Sequence, residues 1–179
     1  METNQPIKID NGAKVALSHG VLRSPHWHYV EETFLHDNPN CIACQEKDYG
    51  KVGVQIHHAI VPFHSAILCG RPDLELDPRN LVSLCETEHN KPASNHHLLL
   101  GHLKDFASWN KDVREDAKKY FGLTEAEILA HPEYIEKVKT RPDPIQEKSP
   151  ENLAKLKEWL DQILPPDPNI ISKFFPKGI

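Results

Sequence analysis

Cys41-x2-Cys44, with a third thiol at Cys85, is a set of soft ligands spaced to grip one tetrahedral ion. Two thiolates two residues apart reach a single cation from a tight turn. Three thiolates need a fourth ligand. Glu88 and His89 are close in sequence, His96 lies beyond a loop, and histidine is the better partner in a Cys3His site. An ion closed in by four protein ligands has no open position for substrate, so the chemistry expected here is a structural zinc. The competing reading, reduced thiols buried as small hydrophobes, is weaker because it leaves the paired spacing unexplained.

Histidine is the other oddity: the chain holds 12 of them, and neutral imidazole is both a common metal ligand and a base near neutral pH. His57 and His58 follow the alternating stretch Val52-Gly-Val54-Gln-Ile56, which has the period of a strand. Neighbours on a strand point to opposite sides, so one can hold a metal while the other faces substrate. His97 and His102 lie on the next element. Asn80 sits before a second short strand, Leu81–Leu84, where its amide could orient an imidazole. Such a set suffices for phosphodiester hydrolysis: a histidine deprotonates water, and a divalent cation stabilises the developing phosphoryl charge and the leaving 3′ oxygen. His64 is read as holding its loop, and His19, His26, His28, His36 and His131 as surface or helix residues.

Taken together, Cys41-x2-Cys44, HHAIVPFH at 57–64, ELDPRNLVSLCE at 75–86 and HHLLLGH at 96–102 resemble the HNH endonucleases of phage and bacterial genomes, over about residues 23–110. The Arg23-Ser-Pro-x-Trp27 segment fits as well. The resemblance implies an α+β fold: a ββα-metal core holding one catalytic cation (Mg2+, Mn2+, Ni2+ or Zn2+), braced by a treble-clef-like structural zinc and flanked by helices. It implies His57 as first metal ligand, His58 as general base, Asn80 as the residue that positions the base, and His97 and His102 as ligands on the helix. Two registers of the third motif compete. A compact one puts Glu88 in a cysteine position and makes His89 a ligand. A longer one, Cys-His-x4-Gly-His, matches His96-His97-x4-Gly101-His102 with His96 replacing a cysteine. The longer register accounts for Gly101 and His102 together and assigns Cys41, Cys44, Cys85 and His96 to zinc. It carries a geometric demand: residues five apart on an ideal helix are rotated by about 140°, so His97 must lie at or before the helix start.

The elements that must position these groups follow from local pattern. Ser24-Pro25 reads as an N-cap and first-turn proline, and Trp27, Val30 and Phe34 repeat at helical spacing, predicting a helix over 25–36 that stops at Asn38-Pro39. Residues 60–78 have scattered Pro and Gly and read as a long ordered loop. Leu98, Leu99, His102, Leu103, Phe106 and Trp109 predict a helix from His97, and Asn110 can cap another that ends at Gly122. Thr124 with Glu127 is a capping box for a short helix ending near His131-Pro132. A linker at 140–150 leads to a last helix with Leu153, Leu156, Trp159, Leu160 and Ile163 on one face, then a tail with Phe174-Phe175-Pro176. The organisation expected is an N-terminal arm at 1–22, an HNH domain at 23–122 and a helical extension at 123–179.

Bulk properties bound the rest. The length of 179 residues suits one catalytic unit. A net charge of -5, from 21 Lys+Arg against 26 Asp+Glu, counts mildly against a tight non-specific nucleic-acid binder, although a local patch or bound cation can still attract phosphate. Lys118-Lys119, Lys137 and Lys139 read as a solvated helix face. METNQPIKID has no secretory pattern, and no run approaches the roughly 20 apolar residues of a membrane span, so a cytoplasmic protein is expected. The expected partner is double-stranded DNA, with the C-terminal helices available for a homodimer or a protein partner. Two other readings compete: a zinc-stabilised nucleic-acid- or protein-binding module without catalysis, and a regulatory subunit docking through its last helix and tail.

Overall fold

A computed structural model describes residues 21–45, 53–86, 95–141, 149–170 and 172, together with short strands before them. β1 (Ile7–Lys8) pairs with β2 (Lys14–Val15), and β3 (Leu17–Ser18) with β4 (Val21–Leu22). The linker at 142–148, the Phe174-Phe175-Pro176 tail, and Glu88 and His89 lie outside the described residues. The class is α+β, a small antiparallel sheet among short helices.

Helix α1 spans Trp27–Asp37, starting later than its Ser-Pro signal predicts. Ser24 forms a preceding turn instead: its carbonyl accepts from Trp27 N at 3.1 Å and its Oγ from His26 N at 3.2 Å. Asn38 stops the helix by turning both its main-chain N–H (2.8 Å) and its Nδ2 (3.0 Å) onto the Phe34 carbonyl. The buried side chains Val30 and Phe34 pack with Ile56, Leu76 and Leu81.

Strand β5 (Gly53–His58) runs through both histidines rather than ending before them. It pairs antiparallel with β6 (Leu81–Glu86), with His57 opposite Val82, His58 opposite Leu81 and Val54 opposite Cys85. The stretch read as a loop between them contains helix α2 (Phe63–Leu68) and 3₁₀ turns at Pro72–Glu75 and Pro78–Asn80. A six-residue helix is too short to display a period, and the flanking prolines and Gly70 (φ 85°) look like loop residues.

The segment after β6 departs most from expectation. In place of a helix reaching Trp109 there is one π-helical turn, His97–Gly101. Leu103 (φ 50°) and Lys104 (φ 68°) then enter the left-handed region, where non-glycine residues are uncommon. Helix α3 (Val113–Lys119) follows, with Asp112 rather than Asn110 at its N-cap. Buried Asn110 acts one step earlier: Oδ1 accepts from Asp112 N at 3.1 Å, while Nδ2 donates to Leu100 O at 2.9 Å and Asp116 at 2.6 Å. The Thr124–Glu127 capping box starts α4 (Glu125–Ala130), and α5 (Pro132–Lys139) begins on the proline that ends it. Helix α6 (Pro150–Ile163) is capped by Ser149, whose side chain accepts from Asn152 N. Among the described residues no helix is long and apolar enough to cross a membrane.

Leu99, Leu100 and Leu103 of the π segment join the cysteines, α3, Ile128 and Tyr134 in the largest core. A separate core joins Val61, Ala66 and Leu74 to Leu160 and Leu164, so α6 turns its apolar side onto the α2 region. Buried Arg71 fastens that joint, donating to Asp73, to Asp161 at 2.8 Å and to the Leu164 carbonyl at 2.8 Å. Arg71→Ala is expected to destabilise the protein by about 2 kcal/mol, the order of a buried charged hydrogen bond. Urea unfolding measures the loss, and amide exchange should rise first in 150–164; unchanged exchange there would refute the fastening role.

Candidate metal centres

The first centre is built by three elements. After α1 the chain turns at 42–44, held to β6 by Ile42 N donating to Ser83 O at 3.0 Å. Ala43 N points at Cys41 Sγ, 3.4 Å away, a contact that favours a thiolate. Cys85 comes from β6 and His96 from the residue before the π turn. Cys85 Sγ lies 3.2 Å and Cys41 Sγ 3.7 Å from His96 Nδ1, and Cys44 Sγ lies 3.9 Å from Cys85 Sγ. Four ligands on a tetrahedral zinc at ~2.3 Å (S) and ~2.05 Å (N) would sit roughly 3.5–3.8 Å apart. All four donor atoms fall within 4.8 Å of one another. This set could hold a metal ion, and its softness suits zinc.

The protonation states of this cluster depend on one another. Hydrogen bonding with Cys44 and Cys85 drives the Cys41 thiol down, while Cys41 and Cys44 push Cys85 up. Burial opposes the charged form of His96, but bonds to Cys41 and Cys44 outweigh it and raise its pKa to about 9. The thiols cannot all lose their protons together unless a positive charge sits between them.

The second centre gathers His57 from β5 and His97 and His102 from the two ends of the π turn, again with all ligand atoms within 4.8 Å. His102 N donates to His97 O at 3.1 Å, the i→i+5 bond that defines the turn. Widening the turn by one residue returns position five to the side from which position one projects, which meets the demand that an ideal helix could not. His97 Nε2 and His102 Nε2 are 3.2 Å apart, close to the ~3.3 Å expected for two imidazoles on one tetrahedral ion. His57 Nε2 is buried with no hydrogen-bond partner among the described residues, an orphan that a cation would satisfy.

Outer contacts set the tautomers. His102 Nδ1 donates to Ser108 O at 2.7 Å, which places the Nε2 lone pair on the metal side. His97 Nδ1 lies 3.4 Å from Glu86 Oε2, and that bond holds the Glu86 carboxyl below its usual pKa. A Cβ on Gly101 would come within 2.9 Å of His57 Nδ1 and 3.0 Å of its Cε1, so glycine is required for the ring to lie there. Glu86 was not among the residues singled out from sequence. Its signal was adjacency: beside Cys85 on a strand, it must face the side opposite the cysteine site.

His58 leaves β5 on the other side from His57, yet both line one cleft of about 250 Å³ with Arg23, Phe63, His97 and Phe106. The His58 ring stacks on Trp27 (centroids 5.2 Å) and its Nε2 donates to Glu75 O at 3.2 Å. Burial, then the Arg23 charge, lowers its pKa to about 3, so it is neutral. Arg23, another residue that sequence reading left without a role, donates Nε to Glu75 Oε1 at 2.9 Å and lies over the Trp27 ring at 3.8 Å. Its Nη2 is buried and unpartnered. Asn80 does not orient an imidazole as expected. Its amide makes four bonds to main chain: Oδ1 accepts from Ile60 N (2.8 Å) and Val61 N (3.1 Å), and Nδ2 donates to Val61 O (3.0 Å) and Leu74 O (2.9 Å). It therefore fixes the turn that follows His58.

His64 is buried on the same cleft, whereas His28 and His36 are exposed beside Glu32 and Asp37. Lys137 is not a free surface cation: it is partly buried and bonded to Asp116 at 2.7 Å. Lys119 pairs with Glu133.

Two predictions follow from the donor sets. Cobalt(II) titration should give thiolate charge-transfer bands lost in Cys85→Ser and separate weak visible bands lost in His97→Ala; one set of bands vanishing in both variants would refute two independent centres. Gly101→Ala and Glu86→Gln should weaken only the second class of ion, by roughly tenfold or more, read by calorimetric titration against the intact charge-transfer signal. Comparison with family models, curated proteins and solved structures returns no match, so the functional reading rests on these side chains.

Proposed function

We propose that this protein is a metal-dependent endonuclease of the HNH kind that hydrolyses DNA phosphodiester bonds. One observation carries the reading: three imidazoles converge on a shared point while a fourth, His58, is held neutral in the same cleft by a different set of contacts. In this reading β5, β6 and the π turn are the ββα-metal core, and the Cys3His set is its structural zinc. An ion on His57, His97 and His102 would keep open positions for oxygen ligands and would supply charge stabilisation at the phosphoryl and leaving oxygens. Neutral imidazoles favour zinc, nickel or a similar transition ion over Mg2+.

The chain's own groups perform the remaining work. With Nε2–H engaged by the Glu75 carbonyl, Nδ1 of His58 is the lone pair that accepts a proton from water, and the same carbonyl dipole steadies the imidazolium formed. Burial makes the ring a weak base; a phosphodiester anion beside it would raise its basicity. Arg23 Nη2 is the donor available to a phosphoryl oxygen, with the guanidinium kept planar against Trp27 and Phe63.

The second reading, a zinc-stabilised module that binds nucleic acid or protein without catalysis, is compatible with the net charge of -5, but it gives no use to His58 or to the orphan nitrogens of His57 and Arg23. Supercoiled-plasmid cleavage with Zn2+, Ni2+, Mn2+, Mg2+ or EDTA separates the two. Wild type should nick in a metal-dependent way, and His58→Ala, verified folded and zinc-replete, should lose 100-fold or more, within the range of ~10²–10⁴ for general-base removal. Absence of product from plasmid and from single-stranded DNA with every metal would sink the nuclease reading, and equal cleavage by both proteins would remove His58 from its role.

A further inference from the structure

The loop after the π turn carries an aromatic side chain that hydrolysis alone does not use. Phe106 is 52% exposed, yet its ring centroid lies 4.9 Å from that of His102 and 6.0 Å from that of His97. It is not needed to hold those imidazoles, whose outer nitrogens are engaged by Ser108 O and Glu86. Nor is it a loosely hanging group. Asp105 Oδ1 accepts from Ala107 N at 3.0 Å, Asp105 O accepts from Ser108 N at 2.8 Å, and the Asp105 carboxylate pairs with Arg141 at 3.0 Å. A fixed loop thus presents an apolar ring to solvent at the mouth of the metal centre.

The other walls have the same character. Trp109 is held in place by its Nε1–H donating to Ile60 O at 3.0 Å, and Phe63 lies beneath the Arg23 guanidinium at 4.3 Å. Aromatic walls do nothing for a phosphate, but they match the face of a nucleobase, while Arg23 Nη2 and a cation held by the three imidazoles would match the anion next to it. Among the described residues, Lys104, Lys119, Lys137 and Arg141 are paired with carboxylates, and the chain is acidic.

Resting on the nuclease reading, we propose that Phe106 is a stacking platform for the base beside the phosphate being cut, and that the preferred substrate is DNA unpaired at that point rather than intact duplex. A paired base has its faces covered by its neighbours and shows only edges to a protein. Its face becomes available when the strand is single, looped or mismatched. Stacking on an aromatic ring is worth roughly tenfold in affinity per base.

The test uses the full chain and one labelled oligonucleotide in three forms: single-stranded, fully paired, and paired with a central unpaired loop containing 2-aminopurine. The expected result is kcat/KM at least tenfold higher on the single-stranded and looped forms than on the duplex. Phe106→Ala should lose that preference, Phe106→Trp should restore it and Phe106→Leu should not, with cobalt(II) spectra unchanged in all three. Binding of the looped DNA to His58→Ala should quench 2-aminopurine, and the Phe106→Ala/His58→Ala double variant should not. Duplex cut as fast as loop, an equal loss on all three forms, or quenching that survives without the ring would overturn the proposal. If no form is cut with any metal, the nuclease reading fails, and the quenching comparison still decides the role of Phe106.

Discussion

Burying a lone pair costs free energy unless something answers it, and this protein gathers two buried or half-buried groups of them side by side. The thiols and imidazole of Cys41, Cys44, Cys85 and His96 form one, and the imidazoles of His57, His97 and His102 the other. They are joined by sequence neighbours: Cys85 belongs to the first while Glu86 supports the second, and His96 belongs to the first while His97 belongs to the second. A strand sends adjacent side chains to opposite faces, so β6 can serve both centres with consecutive residues. An ion in the thiolate site would therefore also fix the backbone from which the second site is built.

The π turn is the local expression of that constraint. An ordinary α-helical turn would rotate His102 away from His97; the i→i+5 bond brings their Nε2 atoms to 3.2 Å. The arrangement has a cost, since Leu103 and Lys104 leave the turn at positive φ, on the order of 1 kcal/mol or more for each residue so placed. The core offsets it, because Leu99, Leu100 and Leu103 are fully buried against α3, Ile128 and Tyr134. At roughly 1.5–3 kcal/mol per buried leucine, packing wins over backbone strain. Gly101 completes the geometry by leaving room for the His57 ring.

On the other side of the hairpin, Glu75, Asn80 and His58 Nε2 find their partners within the protein itself. Glu75 accepts from Arg23 Nε and Ser24 N through its carboxylate and from His58 through its carbonyl, and Asn80 binds the turn at 60–61 and Leu74 with all four of its amide bonds. These contacts hold the entry to α1, the 3₁₀ turns and the end of β5 in one register. The contrast is informative: around His58 the main chain supplies partners, whereas His57 Nε2 and Arg23 Nη2 have none among the described residues.

Much of this was legible in residue type and spacing. The Cys41-x2-Cys44 pair, the strand period before His57-His58, the Thr124–Glu127 capping box and the apolar face of α6 are local signals, and each element formed where chemistry within a few residues demanded it. What sequence alone could not reach is whatever depends on partners distant along the chain. It preferred His96 to Glu88 and His89 as the fourth ligand on the register of the third motif, but the contact itself is tertiary, with His96 Nδ1 3.2 Å from Cys85 Sγ. It read a helix through His97–Trp109, because propensity does not register that three buried leucines and two imidazoles are better served by a π turn. It set Asn80 against an imidazole, whereas the nearest unmet groups proved to be main-chain amides and carbonyls. Residue chemistry determined which groups could bind metal; tertiary packing decided which of them meet, because a lone pair is satisfied by proximity in space and not by spacing in sequence.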